Sequence, residues 1–316
     1  MIVVLTGGTG GAKFVDGLQR VVPPEELTII VNTGDDHSWW GLYVSPDVDS
    51  ITYVLAGVLS SERGWGVRGD TFHCLQTMKT LGEPTWFSVG DRDLAVHLLR
   101  TKLMAEGETL SQATSTIAQR FGLKSRILPM SDQRVETRIE TPAGEISFEE
   151  YFVHRWYQDP VKSVRFAGTA ESRPAPGVTD AIASANAVLI APSNPVTSIG
   201  PILAVPGIRE AVCKTPAPVV AVSPIVGNKA VSGPAAALMA AHGLDVSITG
   251  VISAYRDFLD VLLADESDSA SARELNSDDV RIHCTNILMR SSDDKARLAR
   301  TALRLATHEV ATTEAR

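Results

Sequence analysis

Cysteine is scarce in this sequence, and its spacing argues against covalent or metal scaffolding. Cys74, Cys213 and Cys284 lie far apart and form no Cys-x-x-Cys pair. A disulfide framework and a zinc knuckle are thereby set aside, and the thiols read as buried side chains. The seven histidines show no His-x-x-x-His spacing, so a zinc centre of that kind is discounted. No apolar run approaches the roughly 20 residues that a bilayer span requires. Basic residues are outnumbered, 29 Lys and Arg against 37 Asp and Glu, for a net charge of −8. That balance denies the chain the basic stripe that nucleic-acid backbones recruit. Local anion binding survives it, because backbone amides need no Lys or Arg. The N-terminus lacks a basic segment followed by an apolar one, so a cytoplasmic protein without a signal peptide is expected. Repeats of solenoid period are missing as well.

What is present is an ordinary globular composition, 44% hydrophobic and 21% charged, enough to bury a real core. Ile2 to Leu5 is a short β-branched run of the kind a buried parallel strand uses. A glycine loop follows, then a helix over Phe14 to Val21 and a second strand over Leu27 to Val31. This opening predicts an α/β fold with a Rossmann-like, doubly wound, mostly parallel sheet. Helices are expected over Asp49 to Leu59, from about Leu94 to Met104, and after Thr109, where Thr109-x-x-Gln112 resembles a capping box. Further strands are expected at Trp86 to Val89, Ala187 to Ala191, Pro218 to Ser223, Ser247 to Ser253 and Val280 to Cys284, with a closing helix from Ser292 to His308. Val135 to Thr141 alternates at period two, and Pro142-Ala143-Gly144 supplies a turn before Glu145 to Phe148. That is an antiparallel hairpin. It predicts a smaller inserted α+β subdomain over 125–165, between core segments 1–124 and 166–316.

Four loops carry residues suited to chemistry. Gly7-Gly8-Thr9-Gly10-Gly11-Ala12-Lys13 sits between a strand and a helix, where unpaired N–H groups meet anions. It lacks the Gly-Lys-Ser/Thr of a Walker A motif and differs from the dinucleotide fingerprint. Asn32-Thr33-Gly34-Asp35-Asp36 ends the second strand, where an acid takes either a ribose hydroxyl or a metal. Ser45-Pro46-Asp47-Val48-Asp49-Ser50 offers two carboxylates just before a helix, a plausible Mg²⁺ site, with an N-cap role for Asp49 as the alternative. Gly90-Asp91-Arg92-Asp93 repeats the pattern, and Arg92 can meet phosphate or its acidic neighbours. In the second half, the hydrogen-bond-rich loops at 192–200 and 223–234 fall on the edge of the glycine loop if all the strands run parallel.

These segments together resemble the 2-phospho-lactate transferase family, whose members build the deazaflavin coenzyme F-420. Pro192-Ser193-Asn194-Pro195 and Ser223-Pro224-Ile225-Val226-Gly227 match as well, in the same order along nearly the whole chain. The resemblance implies a Mg²⁺-dependent transfer of a phospholactyl or phosphoenolpyruvyl group. The donor is linked to guanosine diphosphate, the acceptor is the ribitol hydroxyl of the deazaflavin Fo, and GMP leaves. It also implies a Rossmann-like core with a smaller domain, and a homodimer. On this reading Gly8, Thr9, Gly10, Gly11, Lys13, Asn32, Asp36, Ser193, Asn194, Ser223, Pro224 and Gly227 face the donor. Asp49, Ser88, Asp91, Arg92 and Trp40 face the acceptor, and Asp47 and Asp49 hold the metal and carry catalysis. Trp40 belongs to an apolar stretch, Trp39 to Tyr43, that reads either as a wall for the flat deazaflavin or as a core or dimer contact.

Two rivals are weighed against it. A related family of non-catalytic, nucleotide-sugar-binding regulators shares the strand and glycine-loop opening, but the two acidic motifs favour the transferase. An NAD-dependent oxidoreductase is weakened by the imperfect fingerprint and the adjacent acids Asp35 and Asp36.

Overall fold

A computed structural model gives the architecture and describes residues 1–275 and 280–313. Seven strands form one parallel sheet. In chain order they are β1 (Ile2–Thr6), β2 (Leu27–Val31), β3 (Arg126–Pro129), β4 (Ala187–Ile190), β5 (Val219–Val222), β6 (Val261–Ala264) and β7 (Arg281–Cys284). Their spatial order is β7-β6-β5-β4-β1-β2-β3, all paired in parallel. The chain reverses its direction of travel between β1 and β4. In doubly wound sheets such a switch point is where ligands are held.

The strands read as apolar runs because both faces of the sheet are covered. Val3, Leu5 and Ile30 point into one core, while Val4, Ile29 and Val31 point into the other. The second core is closed by α1 (Gly8–Leu18) and the helix Ser292–Thr313, through Phe14, Val15, Leu18, Leu298 and Ala302. Gly17 permits this crossing, since a Cβ there would run into the carbonyl of Lys295. Between β2 and β3 the chain adds α2 (Pro46–Leu55), α3 (His73–Thr80), α4 (Asp91–Ala105) and α5 (Leu110–Arg120). Tyr53, Val96, Leu103, Ala113 and Ile117 form a smaller core there. The capping box at Thr109 is present, with Gln112 returning the bond.

The period-two stretch folds as an antiparallel hairpin of Glu136–Thr141 and Gly144–Ser147, and Ser163–Ala167 adds a third strand. This small sheet is not detached. Ile139, Ile146, Tyr151 and Val164 share a core with Val3 and Leu5 of β1. Residues 126–129, expected at the front of the insertion, are instead the edge strand β3 of the main sheet.

Two other expectations give way. Ser247 to Ser253 is not a strand but the start of the helix Ile248–Tyr255, whose N-cap Ser247 accepts a hydrogen bond from Gly250. A short apolar run serves either element, and burial of Ile248, Val251 and Tyr255 fits the helical spacing. The strand is Val261–Ala264, just downstream. Trp86 to Val89 forms no strand either, because Trp86 and Phe87 are spent on Trp39, 4.7 and 5.8 Å away between ring centres. Among the described residues no helix is long and apolar enough to cross a membrane.

Candidate functional site at the sheet switch point

The glycine loop turns out to be the first turn of α1 itself. Gly7 is the N-cap, its backbone is extended, and it brings no side chain of its own to cap the helix. Two clamps fix the turn from opposite sides. Ser193, just after β4, donates its hydroxyl to the Gly7 carbonyl at 2.7 Å and accepts from the Gly7 N–H at 3.3 Å. Asp47, on α2, accepts the Gly8 N–H at 2.7 Å. The amides of Thr9 and Gly10 at the same helix end have no protein acceptor among the described residues. They are the donors left for an anion.

The glycines themselves answer to packing as much as to ligand approach. A Cβ at Gly10 would stand 2.5 Å from the Pro192 carbonyl, and one at Gly11 would strike the Thr6 hydroxyl. Gly8 has room for a side chain but sits at φ +68°, where only glycine is unstrained. Lys13 is exposed on the same helix.

Beside this turn lies a buried acid cluster. Asn32 donates its amide to Asp35 at 3.0 Å and to Asp47 at 2.9 Å, and its carbonyl holds the Gly34 N–H at 2.8 Å. Asp36 accepts from Ser45 at 2.7 Å and Tyr43 at 2.9 Å. Asp35 keeps one buried oxygen, Oδ1, without a partner. From the inserted sheet, Thr137 donates its N–H to the Gly34 carbonyl at 2.7 Å, and Glu149 enters the same space. Burial disfavours charge on all four carboxyls. It holds Asp35 and Asp47 above the usual carboxylate range and pushes Asp36 and Glu149 to about 8. Mutual repulsion adds to the effect at Asp35 and Glu149, where neighbouring acids are the next cause after burial.

Asp49 does not share this space with Asp47. Both residues lie in the first turns of α2, and two positions along a helix do not face one another. Asp47 turns to the glycine loop. Asp49 turns to α4 and is gripped by Arg100, with Nη2 on Oδ1 and Nη1 on Oδ2 at 3.1 Å. The paired-carboxylate arrangement expected from the sequence is therefore split, and Asp49 is not the N-cap, which is Ser45. His97 lies 3.5 Å from both Asp49 and Asp93, and Tyr53 donates to Asp93 at 2.6 Å. Burial drives His97 down to about 4, hence neutral, and raises Asp93 to about 7.

The remaining expected residues are distributed as follows. Asp91 accepts the N–H groups of His73 and Cys74 and so caps α3, while Asp70, just before α3, accepts the N–H groups of Arg92 and Asp93 and so caps α4. The Arg92 guanidinium reaches the Arg68 carbonyl at 3.3 Å. Trp40 sits at the tip of a tight hairpin (His37–Trp39 with Leu42–Val44), and its ring N–H binds the Pro84 carbonyl at 3.0 Å. Ser88 is half-buried in the neighbouring loop.

The second-half loops are largely self-satisfied. Asn194 accepts from Val196, Ser223 closes its own turn with Ile225, with Pro224 between them, and the Gly227 N–H is held by Asp268. Of the second-half residues expected to face the donor, Ser193 is the one that hydrogen-bonds the glycine turn, while Pro192 and Ser198 pack beside it.

Glu149, His97 and Arg100 were not foreseen. A signal for two of them existed: Asp93, His97 and Arg100 fall at i, i+4 and i+7, a polar stripe on one face of α4. Glu149 had none, since nothing in its neighbourhood of sequence points at Asp35 or Asp47. Among the described residues no three His, Cys, Asp or Glu side chains form a ready-made metal cage. Mg²⁺ rarely uses one, taking one or two carboxylates, substrate phosphates and water.

Comparison with known proteins adds the following. The family model of the 2-phospho-L-lactate transferase CofD matches residues 2–301. A 2-phospho-L-lactate transferase of Methanothermobacter thermautotrophicus is 44% identical over 303 residues, covering 96% of this chain and 97% of its own. One from Methanococcoides burtonii is 41% identical over 290 residues, covering 92% and 94%. A phosphoenolpyruvate transferase of Streptomyces griseus is 42% identical over 311 residues, covering 96% and 98%. Among solved structures, a UPF0052 protein of Bacillus halodurans superposes with a TM-score of 0.65 at 17% identity, covering 96% and 99%, which speaks for the fold alone.

Proposed function

The chain belongs to the 2-phospho-L-lactate transferase family, and we propose that it moves a 2-phospholactyl or enolpyruvyl-phosphate group from a guanosine diphosphate-linked donor to the ribitol hydroxyl of Fo. The ribitol hydroxyl oxygen bonds to the phosphorus that carries the lactyl or enolpyruvyl oxygen and gives up its proton to solvent or the departing GMP, while the bond from that phosphorus to GMP breaks and GMP leaves with the electron pair. The observation that carries this reading is the contact between Gly8 and Asp47, which sets a buried acid cluster directly against an open helix N-terminus. Phosphoryl transfer needs positioning and charge neutralisation more than covalent catalysis.

In this reading the Thr9 and Gly10 amides orient the diphosphate, and Lys13 adds a positive charge at the rim. Asp47 and Asp35 are the residues that would hold Mg²⁺. They fit, because Asp35 has a buried oxygen without a donor and both acids are strained by burial without a counter-charge. When bound, the ion supplies neutralising charge at the diphosphate. Asn32 keeps the two carboxylates in register. Asp49, fixed by Arg100, and the aromatic side chains around Trp40 are proposed for the acceptor side. A homodimer is proposed from the family resemblance and is checked by sedimentation.

The test is incubation with Fo, Mg²⁺ and a mixture of guanosine donors carrying lactate, enolpyruvate and glycerate, with mass spectrometry of the products. A deazaflavin phosphodiester together with GMP is expected. Donor binding without any product would instead mark a non-catalytic nucleotide-binding protein.

A further inference from the structure

Two buried ring nitrogens just past the acidic loop lack partners. They belong to His37 and Trp39, alternate residues of one hairpin strand, so their side chains leave the same face. Among the described residues neither His37 Nε2 nor Trp39 Nε1 has a hydrogen-bond partner, and Trp39 is only 6% exposed. Both rings pack on Phe87, at 4.5 and 5.8 Å between centres, and Trp86 stands edge-on to Trp39 at 4.7 Å. Buried polar atoms without partners are costly and rare in native structures, and a buried indole N–H usually finds an acceptor. The second imidazole nitrogen decides what His37 offers. Its Nδ1 lies 3.4 Å from the Asp35 carbonyl, which can only accept, so Nδ1 holds the proton and Nε2 presents a lone pair. Trp39 offers a donor and nothing else. One acceptor and one donor thus stand on a single face, among aromatic rings.

We propose that His37 and Trp39 read the ring of the acceptor: His37 Nε2 accepts from an imide N–H, and Trp39 Nε1 donates to the neighbouring carbonyl oxygen of a flat heterocycle. This rests on the acceptor-side reading of the aromatic residues around Trp40 and adds the polar contacts that aromatic walls lack. The pyrimidinedione edge of a deazaflavin carries that pairing. Guanine carries it too, in N1–H and O6, but the pair belongs to the aromatic cluster of the hairpin and makes no hydrogen bond to the glycine turn. Because the two nitrogens are buried, a ring reaches them only when this packing opens. Their shared neighbour Phe87 lies on the irregular, partly exposed segment between α3 and α4, which turns at Gly82 with φ +87°. That segment is tied to the hairpin by the Trp40 ring N–H on the Pro84 carbonyl. It is the part that gives way to the ring.

The experiment uses the full chain and titrates Fo by its fluorescence, with and without GDP, while GDP itself is titrated by calorimetry. Trp39→Phe and His37→Phe each keep an aromatic ring and remove the polar atom. Each is expected to bind Fo about tenfold more weakly, with GDP affinity unchanged. The ligand-free melting temperature should hold or rise, since an unpartnered buried nitrogen has gone. His37→Gln restores an acceptor and should recover part of the loss. In turnover, KM for Fo should rise while kcat changes little, the mark of binding remote from the reacting hydroxyl. Wild-type Fo affinity in both Phe variants would overturn the role of the pair and leave the acceptor reading standing. A loss confined to GDP would overturn it in favour of guanine. A lower melting temperature with unchanged Fo affinity would mark a packing role and overturn it as well. Failure of wild type itself to bind Fo would overturn both this assignment and the acceptor reading.

Discussion

Asp47 and Asp49 stand two residues apart on α2 and serve different neighbours: Asp47 accepts the Gly8 amide of the glycine turn, and Asp49 is ion-paired with Arg100 of α4. One helical turn thus meets two polar clusters. Both carboxylates are buried, at 8% and 3% exposure, so neither can be removed without a consequence that identifies its partner.

The first prediction separates them. Asp47→Asn keeps an acceptor for Gly8 but removes the charge proposed to hold Mg²⁺. Single-turnover transfer is expected to fall about a hundredfold, some 2.7 kcal/mol of transition-state stabilisation, with the melting temperature little changed. Asp49→Asn leaves Arg100 buried without its main counter-charge, and a loss of about 3 kcal/mol in stability is expected. Denaturant unfolding together with a Mg²⁺ titration of transfer checks both. Transfer by Asp47→Asn at the wild-type rate would remove Asp47 from the site.

A second prediction concerns the ion pair itself. Arg100→Met alone strands Asp49 near Asp93 and Asp36, and should cost about 3–5 kcal/mol. The double variant Asp49→Leu, Arg100→Met removes both buried charges and should recover most of that loss. A double-mutant cycle by urea unfolding measures the coupling. Additive losses would mean that the pair contributes little as a pair.

Glycine substitutions should report packing before they report binding. Gly10→Ala places a Cβ against the Pro192 carbonyl, and Gly11→Ala places one against Thr6. Each is expected to lower stability by about 1–3 kcal/mol. Gly8→Ala meets no close neighbour but is strained at φ +68°, for about 1–2 kcal/mol. Thermal melts without nucleotide suffice. An unchanged melting temperature for Gly10→Ala would show that the strand-β4 loop yields to the added methyl.

The clasp between α1 and the closing helix carries a pH signature. Burial opposes the charge on Asp16, but hydrogen bonds from Lys295 and Gln19 and the charges of Lys295 and Arg20 outweigh it, so the carboxyl lies below its ordinary value. A carboxyl lowered in the folded state adds stability that is complete above the unfolded-state value, about 3.9, and is lost as pH falls through the folded value. Asp16→Asn should therefore cost about 0.5–1 kcal/mol at neutral pH and nothing in strong acid. Urea unfolding at pH 7 and pH 3 checks the sign. A larger cost at pH 3 would contradict the Lys295 contact.

Local sequence carried much of the architecture. Apolar runs such as Ile2 to Leu5 and Ala187 to Ala191 announce strands buried on both faces, and the period-two run at Val135 announces the hairpin, because each pattern is set by the geometry of its own segment. The glycine turn and the acidic loop could be read for the same reason: both follow strands, and a parallel sheet gathers strand ends on one edge. Where a segment's state depended on a partner, the pattern misled. Ser247 to Ser253 has the composition of a strand but packs as a helix, and Trp86 to Val89 has no strand to pair with. The site followed the same division. Asp47 was legible from its motif, whereas the separation of Asp49 toward Arg100 came from the 200° between positions i and i+2 once Pro46 started the helix. Glu149 feels the charge of Asp47 only because the inserted sheet packs onto the core of β1 and β2, a proximity across about a hundred residues that no local pattern encodes. The sequence by itself determined the strands, the glycine turn and most of the acids. Which acids share a buried space was decided by tertiary packing, since burial and mutual repulsion exist only after the chain has closed.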